Sequence, residues 1–328
     1  MPIAFFIPHR GCSHRCSFCD QQAISGETEP MTPERVKREL SEIFREGHPF
    51  GGEIAFFGGS FTCLPRGEMT AFLQAAYPYV QDGLVTGIRC STRPDGIDAG
   101  VMDIFKRYGG TAVELGVQSM DDAVLAKNGR GYTAADVERA AALIRKADLS
   151  LGLQMMVGIP GEGEDGALKT AERIIDLKPD TVRIYPALVL RNTRMEQWYR
   201  AGEYSPLTLE QAVDHCMPLL SLFEAHGIRI IRMGLHAERS LEENLIAGPY
   251  HPAFRELCES RLFREAVDEQ LKNTPQGFYL LTVSPKDRSR AAGQKRQNLL
   301  RWQERGYDIR ITEDAALPKG SWHLRPEN

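Results

Sequence analysis

The sequence predicts an α/β fold, a partial (β/α)6 TIM-like barrel followed by a small C-terminal α/β extension. Three observations predict it. Short β-type runs recur six times with helix-periodic segments between them, the mark of βαβ units on a parallel sheet. Motif residues gather at the C-terminal ends of several different runs, where barrel enzymes place their chemistry. After Gly234 the alternation stops, which divides the chain into a barrel over 1–233 and an extension over 234–328.

The six runs are Ile3–Pro8, Glu53–Phe57, Gly87–Ser91, Thr111–Gly116, Ser150–Val157 and Thr181–Pro186, with a further short one at Ile228–Arg232. Between the first two, Val36, Leu40, Ile43 and Phe44 recur at helical spacing behind Thr32-Pro33, a cap and first-turn proline. Met69, Phe72, Leu73 and Ala76 mark a second helix; Val137, Ala141 and Ile144 a third; Leu168, Ala171, Ile174 and Ile175 a fourth. Leu209 to Phe223 outlines another, which Pro218 should kink or divide. Periodicity alone fits an open doubly wound sheet equally well; the placement of the motifs favours the barrel. The extension reads as a loop and helix, a strand at Gly277–Val283, a basic helix from about Arg290 to Arg305, and a short terminal strand.

Composition bounds the function. The chain has 328 residues, 42% apolar and 26% charged, which is globular. A net charge of −4 excludes a whole-molecule electrostatic grip on nucleic acid. The apolar stretch Ile3–Ile7 is far too short to span a membrane. Seven cysteines, three of them clustered at metal spacing, indicate a reduced, cytoplasmic protein in which Cys63, Cys90, Cys216 and Cys258 are free thiols.

The most specific motif is Cys12-x3-Cys16-x2-Cys19, with Phe18 before the last cysteine. Three thiolates are one fewer than a closed four-iron cluster uses, so one iron would keep an open position. The same spacing could be half of a zinc site completed by His9, His14 or Asp20, although no second Cys pair follows. The second motif, Gly58-Gly59-Ser60, ends the second run, where missing Cβ atoms let backbone approach an ammonium or a phosphate. On the fourth run Gln118, followed by Arg130, leaves a strand end facing a ribose or a carboxylate. On the fifth, Gln154 interrupts an apolar strand and needs partners. A structural turn or a satisfied core glutamine explains any one of these. Their conjunction on successive strands indicates a cofactor site around the barrel mouth.

These motifs, with Thr92-Arg-Pro-Asp95, Val113 to Ser119, Arg130-Gly131, Met155 to Gly161 and Arg183 to Val189, resemble the radical S-adenosylmethionine superfamily, and within it the elongator-type catalytic subunits. The resemblance runs in order over roughly residues 1–233. It implies that Cys12, Cys16 and Cys19 hold a 4Fe-4S cluster and that S-adenosyl-L-methionine chelates its open iron. It implies that Gly58, Gly59 and Ser60 take the methionine amino group, and that Gln118, Arg130 and Gln154 meet the carboxylate and ribose. Phe18 and Ser91 border this cofactor, and Tyr185 to Ala187 edge the adenine. It also implies a reductant such as flavodoxin or ferredoxin. The sequence departs from the family at Ser91, where a glutamate is common, and at Gln154, where a histidine is common. The 95 residues after 233 carry no recognisable coenzyme A loop, so no acetyl-CoA domain is expected in this chain.

In the extension, Lys286, Arg288, Arg290, Lys295, Arg296, Arg301, Arg305 and Arg310 face only Asp287, Glu304 and Asp308, a local +5 that leaves −9 elsewhere. Such segregation fits a polyanion, and with the elongator likeness it points to RNA, tRNA included. A solvated helix face is the bland alternative. His236, Glu238 and His251 follow the last barrel strand and are candidates for acid–base or substrate contact, as is Cys63 near the glycine motif. Two other functions fit less well: a tetrapyrrole enzyme or haem chaperone related to coproporphyrinogen oxidase, and a non-enzymatic metal-bearing interaction module.

Overall fold

The computed structural model describes residues 2–27 and 29–327. The strands are β1 (Ile3–Phe6), β2 (Glu53–Phe57), β3 (Gly87–Thr92), β4 (Gly110–Gln118), β5 (Ser150–Val157), β6 (Thr181–Pro186), β7 (Val189–Leu190), β8 (Arg229–Met233), β9 (Leu245–Ala247), β10 (Gly277–Val283), β11 (Tyr307–Glu313) and β12 (Trp322–Pro326).

Seven of them form one parallel sheet in the order β1-β2-β3-β4-β5-β6-β8. That order settles what periodicity left open. A doubly wound sheet reverses direction at a switch point; here every crossover advances the same way. The helices therefore cover one face, and the sheet curls around the other as a partial barrel. Val36, Leu40, Phe72, Leu73, Val137, Ile144, Ile174 and Phe223, all from helices, are buried in one core with the outward-facing strand residues.

The helix Pro33–Ile43 starts as its sequence dictates, with Thr32 Oγ1 accepting from the Arg35 amide at 3.2 Å. Two expectations about the barrel helices are corrected. Helix Leu209–Ala225 runs through Pro218 as one element. Cys216, Leu219, Leu220 and Phe223 on both sides of the proline are buried, and burial of that size offsets the roughly 3 kcal/mol a mid-helix proline costs. In helix Gly166–Asp176 the buried face is Ala167, Thr170, Ala171 and Ile174, while Leu168 points outward. Thr170 Oγ1 faces inward because it accepts from the Met120 amide at 3.2 Å.

The extension is a three-stranded sheet, β11-β10-β12, with β10 parallel to β11 and antiparallel to β12. Its own core holds Phe263, Val267, Leu271, Tyr279, Leu281, Val283 and Trp302. Helix Phe254–Leu271 is shared: Phe254 and Cys258 pack in the barrel core, Phe263, Val267 and Leu271 in the extension. The expected single basic helix is instead broken into Arg288–Ala292 and Gln297–Glu304. Lys295 and Arg296 between them are left-handed, at φ 50° and 63°. Among the described residues no helix is long and apolar enough to cross a membrane.

Candidate active site

The site begins where β1 ends. The loop of Cys12, Cys16 and Cys19 lies across the C-terminal ends of the next strands, and each of their loops holds it. After β2, Ser60 Oγ lies 3.4 Å from Cys12 Sγ. After β3, the buried Arg93 donates to Ser13 Oγ at 2.9 Å and is itself fixed by Asp95 at 2.9 Å. After β4, the fully buried Asn128 accepts from Ser17 Oγ at 2.5 Å, and Arg130 Nη1 donates to Cys16 Sγ at 2.8 Å. Burial, and then the neighbouring Cys16 and Cys12, push the Cys19 thiol up to about 12 against the opposing Arg130. The three sulfurs thus share one electrostatic neighbourhood.

Among the described residues no three His, Cys, Asp or Glu side chains converge on one point as a single metal ion requires. A lone zinc would need thiolates at about 2.3 Å from one centre. A four-iron cluster gives each thiolate its own iron and needs no such convergence. The donor set, three cysteines with a cation beside one sulfur, fits the cluster.

The glycine motif is shaped by close approach. Gly59 is at φ 56°, and a Cβ there would stand 2.6 Å from the Ile7 carbonyl. Its amide donates to Gln21 Oε1 at 2.6 Å and the Ser60 amide to the Arg10 carbonyl at 2.8 Å. With those N–H groups committed, the loop suits an ammonium, which seeks carbonyl oxygen, better than a phosphate.

Gln118 follows a register shift in the β4–β5 pairing and has φ 65°. The irregularity re-aims its side chain. It is buried, and among the described residues its Oε1 has no hydrogen-bond partner. A buried acceptor without a donor is costly, and a ribose hydroxyl would satisfy it. Beside it Arg130 bridges Cys16, Tyr132 (2.7 Å) and the Gly116 carbonyl (2.7 Å), with its guanidinium 5.9 Å from the Phe18 ring. Phe18, Met156, Tyr185 and Ala187 belong to one apolar cluster. Ser91 and Gln154 sit half-buried on β3 and β5. A cavity of about 540 Å³ opens between Ser13, His14 and Arg15 of the cysteine loop and Ala126, Gly129 and Gly131 after β4.

The concave face carries a charge ladder that the motifs did not reveal. Glu53 on β2 binds Arg89 on β3 at 2.6 Å, Arg89 binds Glu114 on β4 at 2.9 Å, and Glu114 binds Arg183 on β6 at 2.6 and 3.0 Å. The last step crosses β5. It can do so because Glu114's register partner there is Gly152, where a Cβ would stand 2.8 Å from Glu114 Cγ. Asn128, Arg232 and Glu162 were likewise missed, and Arg93, quoted within the Thr92–Asp95 run, was given no role. Glu162 closes the loop after β5: its carboxylate accepts from the Gly158 amide, with the Ile159 amide also bearing on it. Burial pushes this carboxyl up to about 7.

The remaining candidates separate. His236 and Glu238 are exposed beyond β8; partial desolvation, then Arg232 and Arg183, hold the His236 imidazole below its ordinary range. His251 is pinned in its loop, Nδ1 accepting from the Ala253 amide at 3.0 Å and Nε2 lying 3.1 Å from Gln294 of the extension. Cys63 lies beside Cys12 and Asp95, its thiol raised first by burial. Of the basic residues, Arg288 pairs with Glu313, Arg290 with Asp287, and Arg305 with Asp268. Lys286, Lys295, Arg296 and Arg301 are exposed and, among the described residues, without ion pairs.

A parallel half-barrel whose strand ends carry three cysteines, a glycine turn and an orphaned glutamine oxygen defines a class. The chain matches the Radical SAM superfamily over residues 6–174 and the Radical_SAM C-terminal domain over 179–264. It belongs to the radical SAM superfamily, whose members use a 4Fe-4S cluster and S-adenosylmethionine, and it is an enzyme of that class. It is 27% identical over 243 residues to the tRNA uridine(34) acetyltransferase of Dehalococcoides mccartyi, covering 62% of this chain and 52% of that protein. To the Methanocaldococcus jannaschii protein of the same name it is 34% identical over 201 residues, covering 55% and 37%. To Escherichia coli YhcC it is 29% identical, covering 60% and 63%. The chain thus spans about half the length of such relatives. Among solved structures, Methanocaldococcus infernus Elp3 superimposes with a TM-score of 0.62 at 20% identity, covering 81% of this chain and 64% of that one. Escherichia coli coproporphyrinogen III oxidase gives 0.52 at 15%, covering 69% and 53%. At these identities the likeness speaks for the fold alone.

Proposed function

We propose that this protein reductively cleaves S-adenosylmethionine and directs the resulting radical at RNA, with tRNA as the substrate class. In this reading Cys12, Cys16 and Cys19 hold the cluster. Gly58, Gly59 and Ser60 take the methionine ammonium on carbonyl oxygen. Gln118 Oε1 accepts from the ribose, with Arg130, Gln154 and Ser91 beside it, and Phe18, Tyr185 and Ala187 flank the adenine. Held there and reduced, a 4Fe-4S cluster would supply the one electron that splits the sulfonium of S-adenosylmethionine into methionine and a 5′-deoxyadenosyl radical. The protein's own part is to orient that cofactor and exclude water, through the apolar cluster and the clamped cysteine loop. A reductant such as flavodoxin or ferredoxin completes the set.

One observation carries the RNA reading beyond the names of the relatives. The uncompensated Lys295 and Arg296 occupy a left-handed turn whose neighbour Gln294 lies against His251, on the loop beyond the last barrel strand. Strained backbone is retained where it serves a site, and here it turns two free cations outward beside the barrel loops. Anaerobic reconstitution, reduction, and incubation with total cellular RNA followed by nucleoside mass spectrometry tests the proposal. The expected result is 5′-deoxyadenosine together with a mass change in one nucleoside. No 5′-deoxyadenosine removes the radical reading; 5′-deoxyadenosine with unaltered RNA removes the RNA target.

A further inference from the structure

The charges on the concave face do not cancel. Glu53, Arg89, Glu114 and Arg183 neutralise one another along the ladder. Arg232 on β8 is the register partner of Arg183 and adds one positive charge to the same face. Its Nε donates to the Gly234 carbonyl at 2.8 Å. Among the described residues its terminal nitrogens have no acceptor and no carboxylate pairs with it. It is half-buried, and its neighbours are Tyr185, Tyr250, Arg183 and His236. The nearby carboxylates are engaged elsewhere, Glu242 accepting from Tyr250 at 2.8 Å and Glu238 lying beside His236 and Tyr250, and among the described residues neither pairs with Arg232. Drawing a guanidinium from water beside a second one, with no carboxylate in return, is costly. A five-donor planar fork left in that state is an oxyanion receptor.

We propose that Arg232, flanked by Arg183 and His236, anchors one oxyanion of the substrate, either an RNA phosphodiester or a carboxylate. A single uncompensated charge selects a monoanion. The inference rests on the reading above only in taking the concave face as the substrate chamber. Arg183 is held by both Glu114 oxygens, so Arg232 is the residue free to turn its fork to a ligand. A lysine there would keep the charge without the fork, whereas a glutamine would lose the charge.

The test is calorimetric titration of the reconstituted 328-residue chain with uridylyl-uridine, with acetate, and with neutral uridine. Wild type, Arg232→Gln and Arg232→Lys are compared, with their melting curves reporting the fold. At least one anion is expected to bind, Arg232→Gln to weaken it about tenfold or more, and Arg232→Lys to fall between the two, keeping the charge but losing the fork. Uridine is expected to be indifferent to both changes. Uridylyl-uridine alone identifies the phosphodiester; acetate binding identifies the carboxylate. The inference is overturned if neither anion binds, or if folded Arg232→Gln binds as wild type does. Acetate bound through Arg232 without uridylyl-uridine leaves the inference standing with a carboxylate as its anion, while the RNA target is decided by the nucleoside mass spectrometry. Absence of 5′-deoxyadenosine removes the radical reading, while the calorimetry still decides Arg232.

Discussion

Glu114 grips Arg183 with both carboxylate oxygens, at 2.6 and 3.0 Å, across a strand that lies between them. The intervening position is Gly152, and its lack of a side chain is what lets the pair meet. A buried pair broken on one side leaves an unmatched charge, so the glycine matters more than its size suggests.

Replacing Gly152 by alanine would place a methyl 2.8 Å from Glu114 Cγ and 3.0 Å from Thr181 Oγ1. The expected loss is about 1–3 kcal/mol, as for an overpacked core. Comparison of denaturant midpoints checks it; an unchanged midpoint would mean the ladder can shift aside freely.

Cys16 accepts the Arg130 hydrogen bond and lies in the same electrostatic neighbourhood as Cys19. Exchange of Cys16 for alanine should abolish both the brown absorbance of the reconstituted protein and the cleavage of S-adenosylmethionine. Retained colour with full cleavage would contradict the ligand assignment.

Burial holds Glu162 at about 7 rather than 4.5. The folded chain then keeps a proton that the unfolded chain gives up near 4.5, so this group's contribution to stability falls as pH rises from about 4.5 to about 7 and is level above. Glu162→Gln carries no charge to bury. Its melting temperature relative to wild type should therefore be higher at pH 8 than at pH 4.5, read from thermal melts at the two pH values. An equal difference at both would place the carboxyl in water.

Lys295, Arg296 and Arg301 are exposed, whereas Arg288 is paired with Glu313 at 2.7 Å. Neutralising any of the first three should lower RNA affinity and reduce the slope of log K against log salt by about 1. Arg288→Ala should change the slope far less. A uniform response of all four would point to general charge rather than a defined track.

Much of this was legible in the sequence, for identifiable reasons. Glu53–Phe57, Ser150–Val157 and Thr181–Pro186 are observed residue for residue, since each is an apolar run closed by glycine, proline or charge. The cysteine spacing and the paired glycines are local patterns, and local patterns survive in a string of letters. The ladder does not: Glu114 and Arg183 are 69 positions apart, and nothing in either neighbourhood announces the other. Arg93 and Asn128 grip the cysteine loop only because three strand ends meet. Leu168 misled the helical phase because Thr170, a polar residue, takes the buried place by capping the Met120 amide. The break at Lys295 and Arg296 could not be foreseen, because two consecutive left-handed residues without glycine contradict ordinary preference.

One helix, Phe254–Leu271, lends its first half to one core and its second half to another, and Arg255 near its start donates to the Ile230 carbonyl of β8 at 2.8 Å. A rigid rod seated in two sockets cannot pivot in one without straining the other. Whatever load the terminal lobe bears is thus delivered to the last barrel strand, two residues from Arg232.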